Sequence, residues 1–88
     1  MNWNQLQYVL TIAQEKNITK AAQKLYLSQP SLSMSMKSLE QELGTALFER
    51  KNGTLSLTYA GELFCHWAIS TLRSQQILSD QLSDISID

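Results

Sequence analysis

Residues 19–44 read TKAAQKLYLSQPSLSMSMKSLEQELG, and this stretch decides the fold. Thr19 is a predicted N-cap, because its hydroxyl can accept from the free amides of a first helical turn. Ala21, Ala22 and Leu25 then share one helical face. The adjacent alanines let a neighbouring helix come close, and the pattern ends near Tyr26–Leu27. Ser28 is a second N-cap, with Pro30 in the first turn, where a missing amide hydrogen costs little. Leu32, Met36, Leu39 and Leu43 recur at i, i+4, i+7 and i+11, an apolar stripe along a long helix. Gly44 follows the stripe and reads as its stop. The stretch therefore predicts a short helix, a break and a long helix.

Working outward, Leu6, Val9, Leu10 and Ala13 predict a helix over roughly Asn4–Lys16, interrupted at Asn17. Downstream, Leu47-Phe48 leads into Glu49-Arg50-Lys51-Asn52-Gly53. Asn-Gly is a strong hairpin signal, since both residues tolerate positive φ. Thr54–Leu57 alternates polar and apolar, so residues 48–58 are expected to form a two-stranded hairpin. Thr58 is the predicted cap of a last helix running to about Asp84. That is about 27 residues, or ~40 Å, more than a core this small can cover. The polar tail 83–88 is expected to fray.

Eighty-eight residues can build one core. Three glycines and one proline give little punctuation, which favours helices over sheets. No apolar run is long enough for a membrane span. MNWNQLQYVL lacks the basic start, apolar run and cleavage site of a secretory leader. One cysteine, Cys65, excludes an internal disulfide and fits a reducing compartment, so the expected location is cytoplasmic. The net charge of −1 hides an asymmetry. Residues 1–59 carry Lys16, Lys20, Lys24, Lys37, Arg50 and Lys51 against Glu15, Glu40, Glu42 and Glu49, a net of +2. Residues 60–88 carry Arg73 against Glu62, Asp80, Asp84 and Asp88, a net of −3. A mildly basic head and an acidic tail permit a basic face without establishing one.

With Leu32 turned inward, Pro30, Ser33, Met34, Lys37 and Gln41 fall on the opposite side of the long helix, with Ser31 and Ser38 at its flank. This outer face is small and hydroxyl-rich, with a single lysine. Small side chains let a helix sit deep in a major groove, and Gln29 at its tip can pair with adenine N7 and N6. Serines and first-turn amides suit phosphate oxygens. The same face also fits the solvated side of an ordinary amphipathic helix. Arg50 and Lys51 fit either a wing against DNA or a solvated turn.

In the last helix, Phe64, Ala68, Thr71, Gln75, Leu78, Leu82 and Ile85 follow alternating steps of four and three, a coiled-coil seam interrupted by polar Thr71 and Gln75. Trp67 and Leu63 lie beside it. Ile77, Leu78, Leu82 and Ile85 have nothing of their own chain to cover them, so a second copy is expected there. Nothing points to an enzyme. Neighbouring Cys65 and His66 point ~100° apart and cannot jointly hold a metal without further ligands. His66 is the sole candidate base, with no acid spaced to orient it. Glu40 and Glu42 face different ways, and no glycine-rich phosphate loop exists. No catalytic residue, metal or cofactor is expected. A protein-interaction module is the alternative to double-stranded DNA binding. RNA is disfavoured, because the outer face offers no aromatics to stack unpaired bases.

Ala21-Ala22, Leu25, Ser28-Gln29-Pro30-Ser31-Leu32-Ser33, Leu39-Glu40, Leu43-Gly44, Leu47-Phe48-Glu49-Arg50, Leu57-Thr58 and Ala60-Gly61, in this order and spacing, resemble the N-terminal domain of LysR-type transcriptional regulators. The likeness runs without a gap from about Leu6 to Leu63. It implies a mainly α, winged helix-turn-helix fold with a small β-hairpin wing and a long C-terminal linker helix. Residues 1–58 would form the DNA-binding domain, with the helix-turn-helix at about 18–37 and the wing at about 48–58. Residues 59–88 would form the linker and dimerisation helix.

The resemblance also implies a homodimeric bacterial regulator of transcription that binds an inverted-repeat operator. Groove contacts map to Gln29, Pro30, Ser31, Ser33 and Met34. Phosphate contacts map to Ser28, Lys37, Arg50, Lys51 and Thr58. Dimer contacts map to Phe64, Trp67, Ala68, Thr71, Leu78, Leu82 and Ile85. The chain departs from the family at Met34, usually basic or polar, at Ser35, often glutamine, and at Gly53 and Thr54, where the wing often carries arginine. Complete members are much longer, form tetramers and add a small-molecule sensing domain. The chain is therefore expected to be a DNA-binding fragment without effector control of its own.

Overall fold

The computed structural model describes residues 1–85. Its elements run α1 (Trp3–Glu15), α2 (Ile18–Lys24), α3 (Gln29–Leu43), β1 (Phe48–Lys51), β2 (Thr54–Leu57) and α4 (Tyr59–Ile85). The fold is mainly α, with one antiparallel hairpin, as expected.

Local chemistry sets each boundary. Asn2 caps α1 through a reciprocal box: its side chain accepts from the Gln5 amide, and the Gln5 side chain accepts from the Asn2 amide, each at 3.0 Å. Thr19 is not the cap of α2. Asn17 holds an extended backbone and accepts from the Lys20 amide at 2.9 Å, so the helix starts at Ile18. Asparagine is as good a cap as threonine and lies where the chain turns. α2 also ends earlier than expected, at Lys24, and Tyr26 turns the chain with φ of 57°. Ser28 caps α3 and Gly44 closes it at φ 76°, both as the spacing predicts. In the hairpin Phe48 faces Leu57 and Lys51 faces Thr54, with Asn52 and Gly53 at φ of 52° and 77°, the signs a type I′ turn needs.

The core gathers Leu6, Val9 and Ile12 of α1, Ala21 and Ala22 of α2, Leu32, Met36 and Leu39 of α3, Leu47, and Phe64, Cys65 and Ala68 of α4. A boundary between residues 58 and 59 would cut this core, because the first turns of α4 are part of it. Its later turns are not. The molecule extends 53 Å along one axis and 26 and 21 Å along the others, so a helix of 27 residues outruns its own support. Residues 86–88, the end of the expected linker segment, lie outside the described residues.

Gly61 marks the tightest approach. A Cβ there would overlap the Leu47 carbonyl oxygen and stand 2.8 Å from Leu57 Cδ2. The obstacle includes backbone, so it cannot rotate away. Gly61→Ala is expected to destabilise the fold by roughly 1–3 kcal/mol, read as a lowered urea midpoint. An unchanged midpoint would mean that the wing base gives way freely.

Candidate nucleic-acid interface

The outer side of α3 is presented by a frame that holds its inner side. Leu32 and Leu39 are fully buried, so rotation about the helix axis is fixed by packing. A polar tie reinforces it. Buried Gln5 of α1 donates from Nε2 to the Ser35 carbonyl at 3.3 Å and to the Ser35 hydroxyl at 3.2 Å. Sequence reading missed this residue. Its signals were a capping-box pattern with Asn2 and a polar side chain one turn before Val9 on the apolar face.

At the exposed N-terminal end of α3, Ser28 Oγ accepts from the Ser31 amide at 3.2 Å and donates to Ser31 Oγ at 2.8 Å. Gln29 Nε2 donates to Ser33 Oγ at 2.6 Å, laying the amide along the helix. That leaves its carbonyl oxygen and one N–H free for a base edge. Pro30 and Lys37 are exposed, Ser33 is half-buried, and Met34 is 72% exposed. The residues expected at the groove therefore lie together on one surface.

Arg50 and Lys51 are exposed on β1 of the wing. Lys51 stands 3.8 Å from Glu49, a surface pair that contributes little and can be exchanged for a phosphate. Thr58 is the cap that the sequence predicts, and it is also tied to the chain before the wing. Its hydroxyl donates to the Ala46 carbonyl at 2.7 Å and accepts from the Gly61 amide at 3.0 Å, so it caps α4 and closes the wing base. Three exposed aromatics escaped the sequence reading: Tyr26, in the turn before α3, is 96% exposed, and Tyr59 and Trp3 are exposed as well.

The expected dimer seam divides in two. Phe64 and Ala68, at 8% and 0% exposure, are spent on the chain's own core, because α4 starts against α1 rather than beyond it. Thr71 is half-buried. Trp67, edge-on to Phe64 with centroids 5.5 Å apart, and Leu78, Leu82 and Ile85 remain exposed. An open apolar groove of about 460 Å³ lies at Trp67, lined also by Met1, Leu43, Leu47 and Leu63 among others. Spacing found the stripe but not where the core ends along it.

Cys65 is buried, which raises its thiol pKa above the ordinary value, while neighbouring His66 is exposed. Among the described residues no three His, Cys, Asp or Glu side chains are placed to hold a metal. No helix among them is long and apolar enough to cross a membrane.

The family model "Bacterial regulatory helix-turn-helix protein, lysR family" matches residues 3–62, which contain α1, α2, α3 and the wing. The chain belongs to the LysR family. It is 52% identical over 65 residues to the HTH-type transcriptional regulator BsdA of Bacillus subtilis (strain 168), covering 73% of this chain and 22% of that protein. It is 35% identical over 95 residues to the regulator ClcR of Pseudomonas putida, covering 99% of this chain and 32% of that one. The chain thus spans about a third or less of either curated relative. Two solved structures are similar over its whole fold. The BenM DNA-binding domain in complex with catB site 1 DNA has a TM-score of 0.91 and 34% identity, over 97% of this chain and 91% of that one. The CbnR DNA-binding domain–DNA complex has a TM-score of 0.90 and 33% identity, over 97% and 98%.

Proposed function

We propose that this chain binds double-stranded DNA in a sequence-specific manner as a homodimer, forming the DNA-binding part of a bacterial transcriptional regulator. The observation that carries the reading is the exposed N-terminal face of α3. It holds Gln29, Pro30, Ser31, Ser33 and Met34 clear of the core on a frame closely similar to domains solved on DNA.

α3 enters the major groove, where Gln29 reads a base edge. Ser28, Lys37, Arg50 and Lys51 meet phosphates. Thr58 contributes chiefly by holding the wing base, its hydroxyl being engaged twice within the chain. Residues 1–58 supply the reading surface, and residues 59–88 the linker and dimerisation helix, with the first turns of α4 serving both. Trp67, Thr71, Leu78, Leu82 and Ile85 meet a second copy. Two α3 helices then occupy successive grooves, so the operator is an inverted repeat with half-sites ~10 bp apart or a multiple. In a longer parent protein, an additional domain would carry any effector response and tetramer contacts. The protein acts in the cytoplasm and is not an enzyme.

Exposed Met34 and Tyr26 beside a thin set of cations also suit a protein-docking surface. Gel shift against random duplexes at ~50 mM salt separates the two, because phosphate contacts dominate there. Retention is expected, and its absence favours the protein partner.

Gln29→Ala is expected to flatten the base preference in a selection from random duplexes, at a cost of ~1–3 kcal/mol on the preferred site. An unchanged profile assigns base reading elsewhere. Lys37→Ala is expected to weaken all sequences alike and lower the salt slope by about one. Leu78→Asp with Leu82→Asp is expected to reduce the sedimenting mass toward one chain. A persisting dimer mass places the interface elsewhere.

A further inference from the structure

The wing faces α3 across an open cleft of about 310 Å³, lined by Met36, Lys37 and Glu40 of α3, by Phe48 and Leu55 of the wing, and by Ile12 and Ile18 of α1 and α2. Phe48, Leu55 and Leu57 pack the wing against the core beneath the cleft, and a polar tie adds to that packing on the α3 side. Glu40, half-buried near the end of α3, lines this cleft and reaches the base of the wing. Its Oε2 accepts from the Leu47 amide at 2.6 Å and from the Phe48 amide at 3.3 Å, the two residues that lead into β1. Among the described residues it is the side chain of α3 that hydrogen-bonds the wing. A carboxylate accepting from backbone amides makes charge-assisted bonds, about twice as strong as neutral ones.

The other side of the wing base is already closed. The Thr58 amide donates to the Leu47 carbonyl at 3.0 Å, and the Thr58 hydroxyl spans Ala46 and Gly61. Leu47 is therefore held from both directions: its amide by α3, its carbonyl by the residue that starts α4. The free end of the hairpin carries Arg50 and Lys51, so an error in angle at Leu47 is magnified where the cations sit.

We propose that Glu40 is a positioning residue that sets the angle and distance between α3 and the wing, so that Arg50 and Lys51 meet the DNA backbone while Gln29 meets base edges. This rests on the DNA-binding reading above. Glu40 itself touches no base and no phosphate; it acts through the wing.

The test uses the complete 88-residue chain and the duplex that it selects from a random pool. Glu40→Gln and Glu40→Ala remove the same charge, so their difference reports the acceptor alone. The glutamine carbonyl can still accept from Leu47 and Phe48; alanine cannot. Glu40→Gln is expected to keep its salt slope, whereas Glu40→Ala falls below it by about 1.8, two phosphate contacts at ~0.9 each. Base preference at the α3 positions is expected to be unchanged in both. Equal slopes for the two folded variants overturn the proposal. Where Glu40→Ala fails to fold by circular dichroism, Glu40→Asp replaces it and is compared with wild type. It keeps the charge but withdraws the acceptor by one methylene, so the same drop supports the proposal and an unchanged slope overturns it. Two outcomes locate failure in the underlying reading and end the proposal with it: wild type retaining no duplex, and Arg50→Ala with Lys51→Ala leaving the slope of wild type intact.

Discussion

The structure depends on the burial of one stripe of α3 against α1. Leu32, Met36 and Leu39 meet a core that Leu6, Val9 and Ile12 supply from the other helix. Each such side chain contributes ~1.5–3 kcal/mol when buried, and the three together also fix how α3 is turned about its axis. That rotation decides which residues the helix shows. Gln29, Ser33 and Met34 face outward because Leu32 and Met36 cannot. The exposed face of α3 is thus a consequence of the core, and the Gln5–Ser35 bonds trim the same rotation with polar chemistry.

A second constraint operates between α3 and α4, where the chain must leave one helix, make a hairpin and start another within fifteen residues, from Gly44 to Thr58. Gly44 ends α3, and its amide and that of Thr45 both donate to the Glu40 carbonyl, at 2.9 and 3.2 Å. The Glu40 carboxylate then takes the amides of Leu47 and Phe48. One residue therefore closes the helix with its backbone and opens the strand with its side chain. Gly61 completes the junction by letting the Leu47 carbonyl approach the α4 backbone.

Most of this architecture was legible in the sequence because its signals are local. Ser28, Pro30 and Gly44 bound α3 by rules that involve only their own neighbourhoods, and Asn52-Gly53 specifies its turn with no help from the core. Errors arose where two local choices competed. Asn17 and Thr19 can both cap a helix, and only the path of the chain out of α1 decides for Asn17. The polar ties were invisible for a different reason. Glu40 and Gln5 act on residues seven and thirty positions away, a relation set by packing rather than spacing. Thr58 shows both limits: its role as a cap was readable, but its second bond to Ala46 needed the wing to be in place.

α4 makes clear why a periodic stripe is an incomplete guide. Phe64, Ala68, Leu78 and Leu82 repeat evenly, yet the first two lie in the core and the last two are exposed. The change comes from the geometry of the core, which is shorter than the helix. One element therefore does two things in sequence, completing the core with its early turns and offering apolar surface with its late ones. On the homodimer reading, the two functions share a rigid rod, so pairing two late segments also fixes the distance between two α3 helices. Mass action then links stability to concentration, because covering Leu78 and Leu82 in a second copy favours the folded chain over the unfolded one. On the same reading, half-site spacing, dimer strength and folding stability are all consequences of where along α4 the core stops.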